Sequence, residues 1–234
     1  MNKLISLELK RNGMKSYHVA VVIITAVMLS LLYLLAVIPK LDSSETDMKM
    51  FMTYHNLIQL NNIIGMVIFT IFSSVMFSKF VVEEYEGRRV ILLYSYPVDR
   101  IKIFITKISV VFFYTVAAML LCGILVLGVF FTTESQFPIC ADQLSTKVIC
   151  YGFLSLLCYS LLAGVWGIVA LYFGFGKQSV STTIIAAVII AILLCQLMAI
   201  TMNIYSGIAF LVLGIFAAGI TLSTLKNRVK NMEV

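Results

Sequence analysis

Charge is scarce in this chain of 234 residues. Lysine, arginine, aspartate and glutamate make up 12% of it, against roughly a quarter in a soluble globular domain. That shortage, with 61% hydrophobic residues, excludes a surface designed to face water all round. There are only two histidines, His18 and His55. The five cysteines form no Cys-x-x-Cys pair, and nothing else has metal-ligand spacing. Cys122, Cys158 and Cys195 lie in apolar runs, where a thiol packs as a small hydrophobe. Cys140 and Cys150 could meet, but one pair at that spacing does not define a disulfide framework. A nucleotide-cradling Gly-x-x-x-x-Gly-Lys-Ser/Thr loop is missing too: Gly174-Phe175-Gly176-Lys177 lacks both the spacing and the hydroxyl.

What is present is a series of apolar runs. A helix rises 1.5 Å per residue, so about 20 apolar residues cross a hydrocarbon core of about 30 Å. The chain holds enough of them for an all-α, polytopic membrane protein of six transmembrane helices in a single domain, with little soluble chain left over. The expected spans are 17–38, closed by Pro39, then 57–81, 103–132, 148–173, 182–202 and 207–225. The first apolar core is too long for a signal peptide, and no small-x-small cleavage site follows it. Residues 1–16 interleave Leu4, Ile5, Leu7 and Leu9 with Lys3, Glu8, Lys10 and Arg11, the pattern of a short interfacial amphipathic helix. Ala163, Gly167, Ala170 and Gly174 have the small-xxx-small spacing that lets helix backbones approach. No charge interrupts the chain from Gln178 to Leu225, a run too long for one helix, so it divides at 203–207.

Charge sets the orientation. With both termini cytoplasmic, every basic residue except Lys40, Lys49 and Lys147, out of seventeen, lies on the inner side. The reverse orientation would invert the positive-inside bias. The net charge of +6 therefore belongs to membrane-end loops, and nucleic acid is not an expected partner. All acidic residues fall outside the spans, and the basic ones reach no further than span ends. That argues against an ion path or proton relay, which places ionisable groups within the membrane.

The central inner loop, 82–102, is the most informative segment. Glu83, Glu84 and Glu86 open it, Gly87 breaks it, and Arg88-Arg89 precede an apolar run that the loop cannot bury by itself. That run must rest on the membrane surface or in a groove on a partner. Tyr96-Pro97 forces an extended turn, and Asp99 is placed to cap the next helix. Glu83-Glu84-Tyr85-Glu86-Gly87-Arg88 also matches the Glu-Glu-xxx-Arg pattern of prenyl-type intramembrane metalloproteases. Both histidines precede it, however, so the later metal ligands that such chemistry needs are missing from the sequence.

Over its whole length the chain resembles the permease subunits of ABC-2 type exporters. The resemblance rests on the basic N-terminus, six spans with both ends inside, and the loop Glu83-Glu84-Tyr85-Glu86-Gly87-Arg88-Arg89, followed by Leu92-Leu93-Tyr94-Ser95-Tyr96-Pro97-Val98-Asp99-Arg100 and Lys107. It implies an ATPase-docking role for Glu83, Glu84, Glu86, Gly87, Arg88, Arg89, Leu92, Tyr96, Pro97 and Arg100. It further implies two cytosolic ATPase subunits, which bind the ATP and Mg, no cofactor on this chain, and a second permease, identical or paralogous, in a bacterial plasma membrane. The path would run between the permeases along spans two and five, with Asn61, Asn62, Thr70, Ser73, Thr182, Thr183, Gln196 and Thr201 as polar lining. The same groups equally suit hydrogen bonds between helices. Unlike many relatives, the chain leaves little room for an outer region between spans five and six. The alternatives are a non-transporting anchor or sensor that docks an ATPase, and, remotely, the metalloprotease. The topology makes the first prediction. A cysteine substituted for Arg89 stays unlabelled by a membrane-impermeant maleimide added outside intact cells; labelling there would overturn the inside assignment.

Overall fold

The computed structural model describes residues 13–41, 53–85, 100–136, 145–201 and 203–230. They form six helices: α1 (Lys15–Leu41), α2 (Tyr54–Phe77, continued by a π-helical turn, Ser78–Val82), α3 (Arg100–Gln136), α4 (Thr146–Lys177), α5 (Val180–Thr201) and α6 (Ile204–Lys230). There is no strand among the described residues, and all six helices are long and apolar enough to cross a membrane. Helices are what such a chain must form, because hydrocarbon offers no partner for an unpaired backbone N–H or C=O.

Several boundaries differ from the expectation, mostly outward. Pro39 does not close α1, which runs on to Leu41; so near the end of a helix, its missing N–H costs a single ladder bond. α3 has 37 residues rather than the expected 30 or so, and at 1.5 Å per residue it is about 55 Å long. Its ends therefore project well past the hydrocarbon, and Glu134, expected in the outer loop, lies on the helix. His55, also expected in a loop, is in the first turn of α2. Gly174 and Gly176, beyond the expected end of the fourth span at 173, continue α4. The reversal comes at Gln178, which adopts the left-handed conformation (φ 48°), while the N–H of Ser179 reaches back to the Gly174 carbonyl. α6 carries on through Lys226 and Arg228 to Lys230, a run without breakers whose positive charges suit a helix C-terminus. The interfacial helix expected at 1–16 lies outside the described residues except for its last residues, where α1 starts.

Contacts sort cleanly into two ends of the bundle. At one end Tyr17 of α1 meets Phe80 after α2, Tyr85 meets Phe104 of α3 and Phe175 of α4, and Arg228 of α6 lies over the Tyr172 ring of α4. At the other, Tyr33 of α1 bonds Thr133 of α3, and His55 of α2 stacks on Tyr151 of α4. Successive helices therefore run up and down, and the first end gathers Lys15, Lys79, Lys102, Lys107, Lys177 and Lys226.

α2 and α4 form the buried centre, whereas α1, α5 and α6 are largely peripheral. The peripheral helices expose apolar side chains such as Val22, Ile200 and Phe216, as lipid-facing or partner-facing surfaces do. The small residues of α4 act as expected: Ala163, Gly167, Ala170 and Gly174 are all buried. A Cβ on Gly167 would collide with Ser73 of α2, and one on Gly174 with Thr183 of α5. Gly167→Ala is thus expected to destabilise the bundle by about 1–3 kcal/mol through overpacking. Ser73→Gly should relieve part of that loss, both measured by reversible denaturation in mixed micelles.

Candidate functional site

The central loop leaves the bundle through a specific piece of geometry. α2 ends in the π-helical turn Ser78–Val82, in which the Glu83 N–H reaches back five residues to the Ser78 carbonyl at 2.9 Å. π-helical turns are rare and frequent at functional positions, and the carbonyls of a helix's last turn have no intrahelical partner. Here the Lys107 ammonium donates to the Phe80 carbonyl at 3.3 Å. The same ammonium forms an ion pair and hydrogen bond with Glu84, at the root of the loop.

Lys107 lies one full turn beyond the start of the third expected span, and its side chain has no exposed surface. Lys107 keeps to the end of its span, as expected of a basic residue, yet its ammonium sits inside the packed bundle instead of in water. Burial of a charge is tolerable only when it is paired and hydrogen-bonded, and both conditions are met. Beside it Tyr85, 1% exposed, wedges its ring against Phe104 at 5.8 Å and Phe175 at 5.5 Å between centroids. The root of the loop is therefore joined to α2, α3 and α4 at once.

Of the expected docking residues, Glu83 and Glu84 are in this root, and Arg100 opens α3. Glu86, Gly87, Arg88, Arg89, Leu92, Tyr96 and Pro97 lie outside the described residues.

The expected path residues divide into two groups. Asn61, Asn62, Thr70 and Ser73 of α2, with Thr183 of α5, are buried inside a single chain. Asn62 donates to the Ser155 hydroxyl of α4 at 2.8 Å. Thr70 returns its hydroxyl to the Met66 carbonyl, and Thr183 to that of Ser179. Of these, the Asn62–Ser155 bond joins two helices, the Thr70 and Thr183 hydroxyls turn back one turn along their own segments, and Asn61 Oδ1 and Ser73 Oγ are buried with no hydrogen-bond partner among the described residues. Thr182 is half-buried, while Gln196 and Thr201 are exposed on α5, so those three can reach a space or partner outside the chain.

Sequence reasoning missed the polar layer at the opposite end. Tyr54 donates to the buried Glu134 at 2.7 Å, and Tyr151 donates to the Gln59 side chain at 2.8 Å. Gln59 in turn donates to the Tyr159 hydroxyl at 3.3 Å. Glu134 was legible only in that nothing between Thr132 and Gln136 breaks a helix. The Gln59 pairings join residues about a hundred positions apart, and no local pattern announces them.

The family model of ABC-2 family transporter proteins matches residues 4–193. Among curated proteins, the uncharacterized protein YcbO of Bacillus subtilis (strain 168) is 24% identical over 191 residues, 82% of either chain. No solved structure matches.

The buried ammonium supplies a stability prediction. Lys107→Met takes the buried ammonium away from the Glu84 carboxylate in a largely enclosed site and is expected to cost about 3–5 kcal/mol. Adding Glu84→Gln should recover most of that. Denaturant titration in detergent checks both.

Proposed function

The chain belongs to the ABC-2 family of transporter proteins, and from that premise we propose that it is the permease half of an ATP-driven exporter in a bacterial plasma membrane. Two cytosolic ATPase subunits bind ATP and Mg and dock on the loop 82–102. A second permease, a copy of this chain or a paralogue, completes the path. Closure of the ATPase pair around ATP displaces the loop, and the displacement moves the helices it joins.

The observation that carries this reading is the union of charge and anchorage at one end of the bundle. The loop with Arg88 and Arg89 emerges where the other inner lysines gather, and its root is packed into the bundle through Tyr85 rather than tethered loosely. A rigid root suits a segment that must carry force.

The polar groups of α5 that a second permease or a path could reach are Gln196 and Thr201, exposed toward its outer end, and Thr182, half-buried at its inner end. An amide on an otherwise apolar membrane helix is costly in lipid and better served by a partner or an aqueous path. Lining by hydroxyls and amides without charge suits an amphipathic cargo, a peptide, antibiotic or lipid-like molecule, better than a small ion. The buried polar residues of α2 would join the path only if α2 moves.

Docking is tested by pull-down of the tagged permease from native membranes. Glu86→Lys with Arg88→Glu and Arg89→Glu should abolish recovery of the ATPase while leaving the permease in the membrane at its usual level. Undiminished recovery would sink the docking assignment.

A further inference from the structure

We propose that Lys107 is the joint of the coupling device, a positioning residue that makes α2, α3 and the root of the loop move as one body. This deepens the reading of the loop as an ATPase-docking segment and rests on it.

One ammonium holds three parts of the chain. It is carried by α3, it donates to the Phe80 carbonyl in the π-helical turn that ends α2, and it is paired with Glu84 where the loop departs. An apolar contact can slide, exchanging one set of neighbours for another at small cost. This contact cannot slide. Displacing Glu84 would leave Lys107 charged in a fully enclosed site, and displacing the π-helical turn would remove the Phe80 carbonyl from the same ammonium. A pull on the loop therefore reaches α3 through the ion pair before the loop itself can yield.

The aromatic wedge extends the same body to α4. Tyr85 follows Glu84 directly and is enclosed by Phe104 and Phe175, whose own rings meet at 5.7 Å. Phe104 stands one turn before Lys107 on α3, so the charge pair and the ring cluster share one flank of that helix. Because the wedge is apolar it supplies packing; the ion pair supplies direction. The π-helical turn has its own part. Phe80 lies in the last turn of the helix, where carbonyls have no intrahelical partner, so its C=O is open to Lys107 and this is where α2 becomes attached to the joint.

The test separates a joint from a brace. The full chain is purified with the ATPase recovered from its native membranes. Spin labels are placed at the outer end through Ser135→Cys and Asn203→Cys, in a background without other reactive thiols. ATP with vanadate is the probe, and the label-to-label distance is read. The informative variant is Lys107→Met, which removes the ammonium, keeps the volume filled and leaves every docking residue as it is. It is expected to melt below the unaltered protein and to retain the ATPase, yet to lose the distance change. Lys107→Arg, which keeps the charge and the donors, is expected to preserve it. A folded Lys107→Met protein that holds the ATPase and still shows the full change would overturn the joint. Should Lys107→Met fail to fold, the uncharged Lys107→Gln carries the same two readings, loss supporting the joint and retention refuting it. If the unaltered permease binds the ATPase but shows no distance change, the joint is refuted while docking stands. If it binds no ATPase, the docking reading falls and takes this one with it.

Discussion

A buried ammonium sets the terms for the inner end of this bundle. Lys107 is enclosed among apolar side chains, and the chain around it is arranged so that it is never without partners. The last turn of α2 offers the Phe80 carbonyl, and the chain turns so that Glu84 closes the site. Replacing such a pair with apolar residues of equal volume is often neutral or stabilising, so stability alone is a poor account of why it is here. Fixing one arrangement among several is the better account, and the proposed transmission of motion through this segment needs a fixed arrangement.

The rest of the bundle follows a division of labour imposed by solvent. α2 and α4 occupy the centre and carry the small and polar residues. There Gly167 admits Ser73, and Asn62 reaches Ser155. Without a hydrophobic force between helices in lipid, close backbone approach and interhelical hydrogen bonds take over that role. α1, α5 and α6 surround the centre with apolar faces that lipid or a second permease can cover. Polar groups gather at the two ends, with Lys107 and Glu84 at one and Glu134, Tyr54 and Gln59 at the other. Between those layers the paired groups are hydroxyls and amides, and the enclosed charges keep to the depth where helices leave the hydrocarbon.

This arrangement bears on how an ATP-driven permease of this size could work. Its long helices, α3 above all, reach beyond the membrane core and so connect the inner loop to the outer polar layer without a break. A displacement at Glu84 is applied to one end of a continuous rod. The side chains of α2 first read as path lining are buried within the chain, where Asn62 and Thr70 have hydrogen-bond partners. What remains available for a partner or a path is the outer face of α5, where Gln196 and Thr201 stand exposed among isoleucines and leucines.

Apolar run length, a scale on which each residue counts independently, made the number of helices and their alternation legible in the amino-acid order alone, and the distribution of basic residues carries the inner placement of the central loop. The small-residue stripe on α4 was legible for the same reason, since it is a regular spacing on one helix. Family membership was legible through the loop motif. Helix ends were not, because Pro39 and Gly174 punctuate a sequence more strongly than they punctuate a helix already held on several sides. Nor could the sequence decide which polar residues face a path and which join helices, as both roles call for Asn, Ser and Thr at similar spacing. The burial of Lys107 belonged to the tertiary structure entirely. Nothing in its own neighbourhood says that Glu84 and the Phe80 carbonyl will be brought to it from 23 and 27 residues away, and without them the same lysine would have to remain in water.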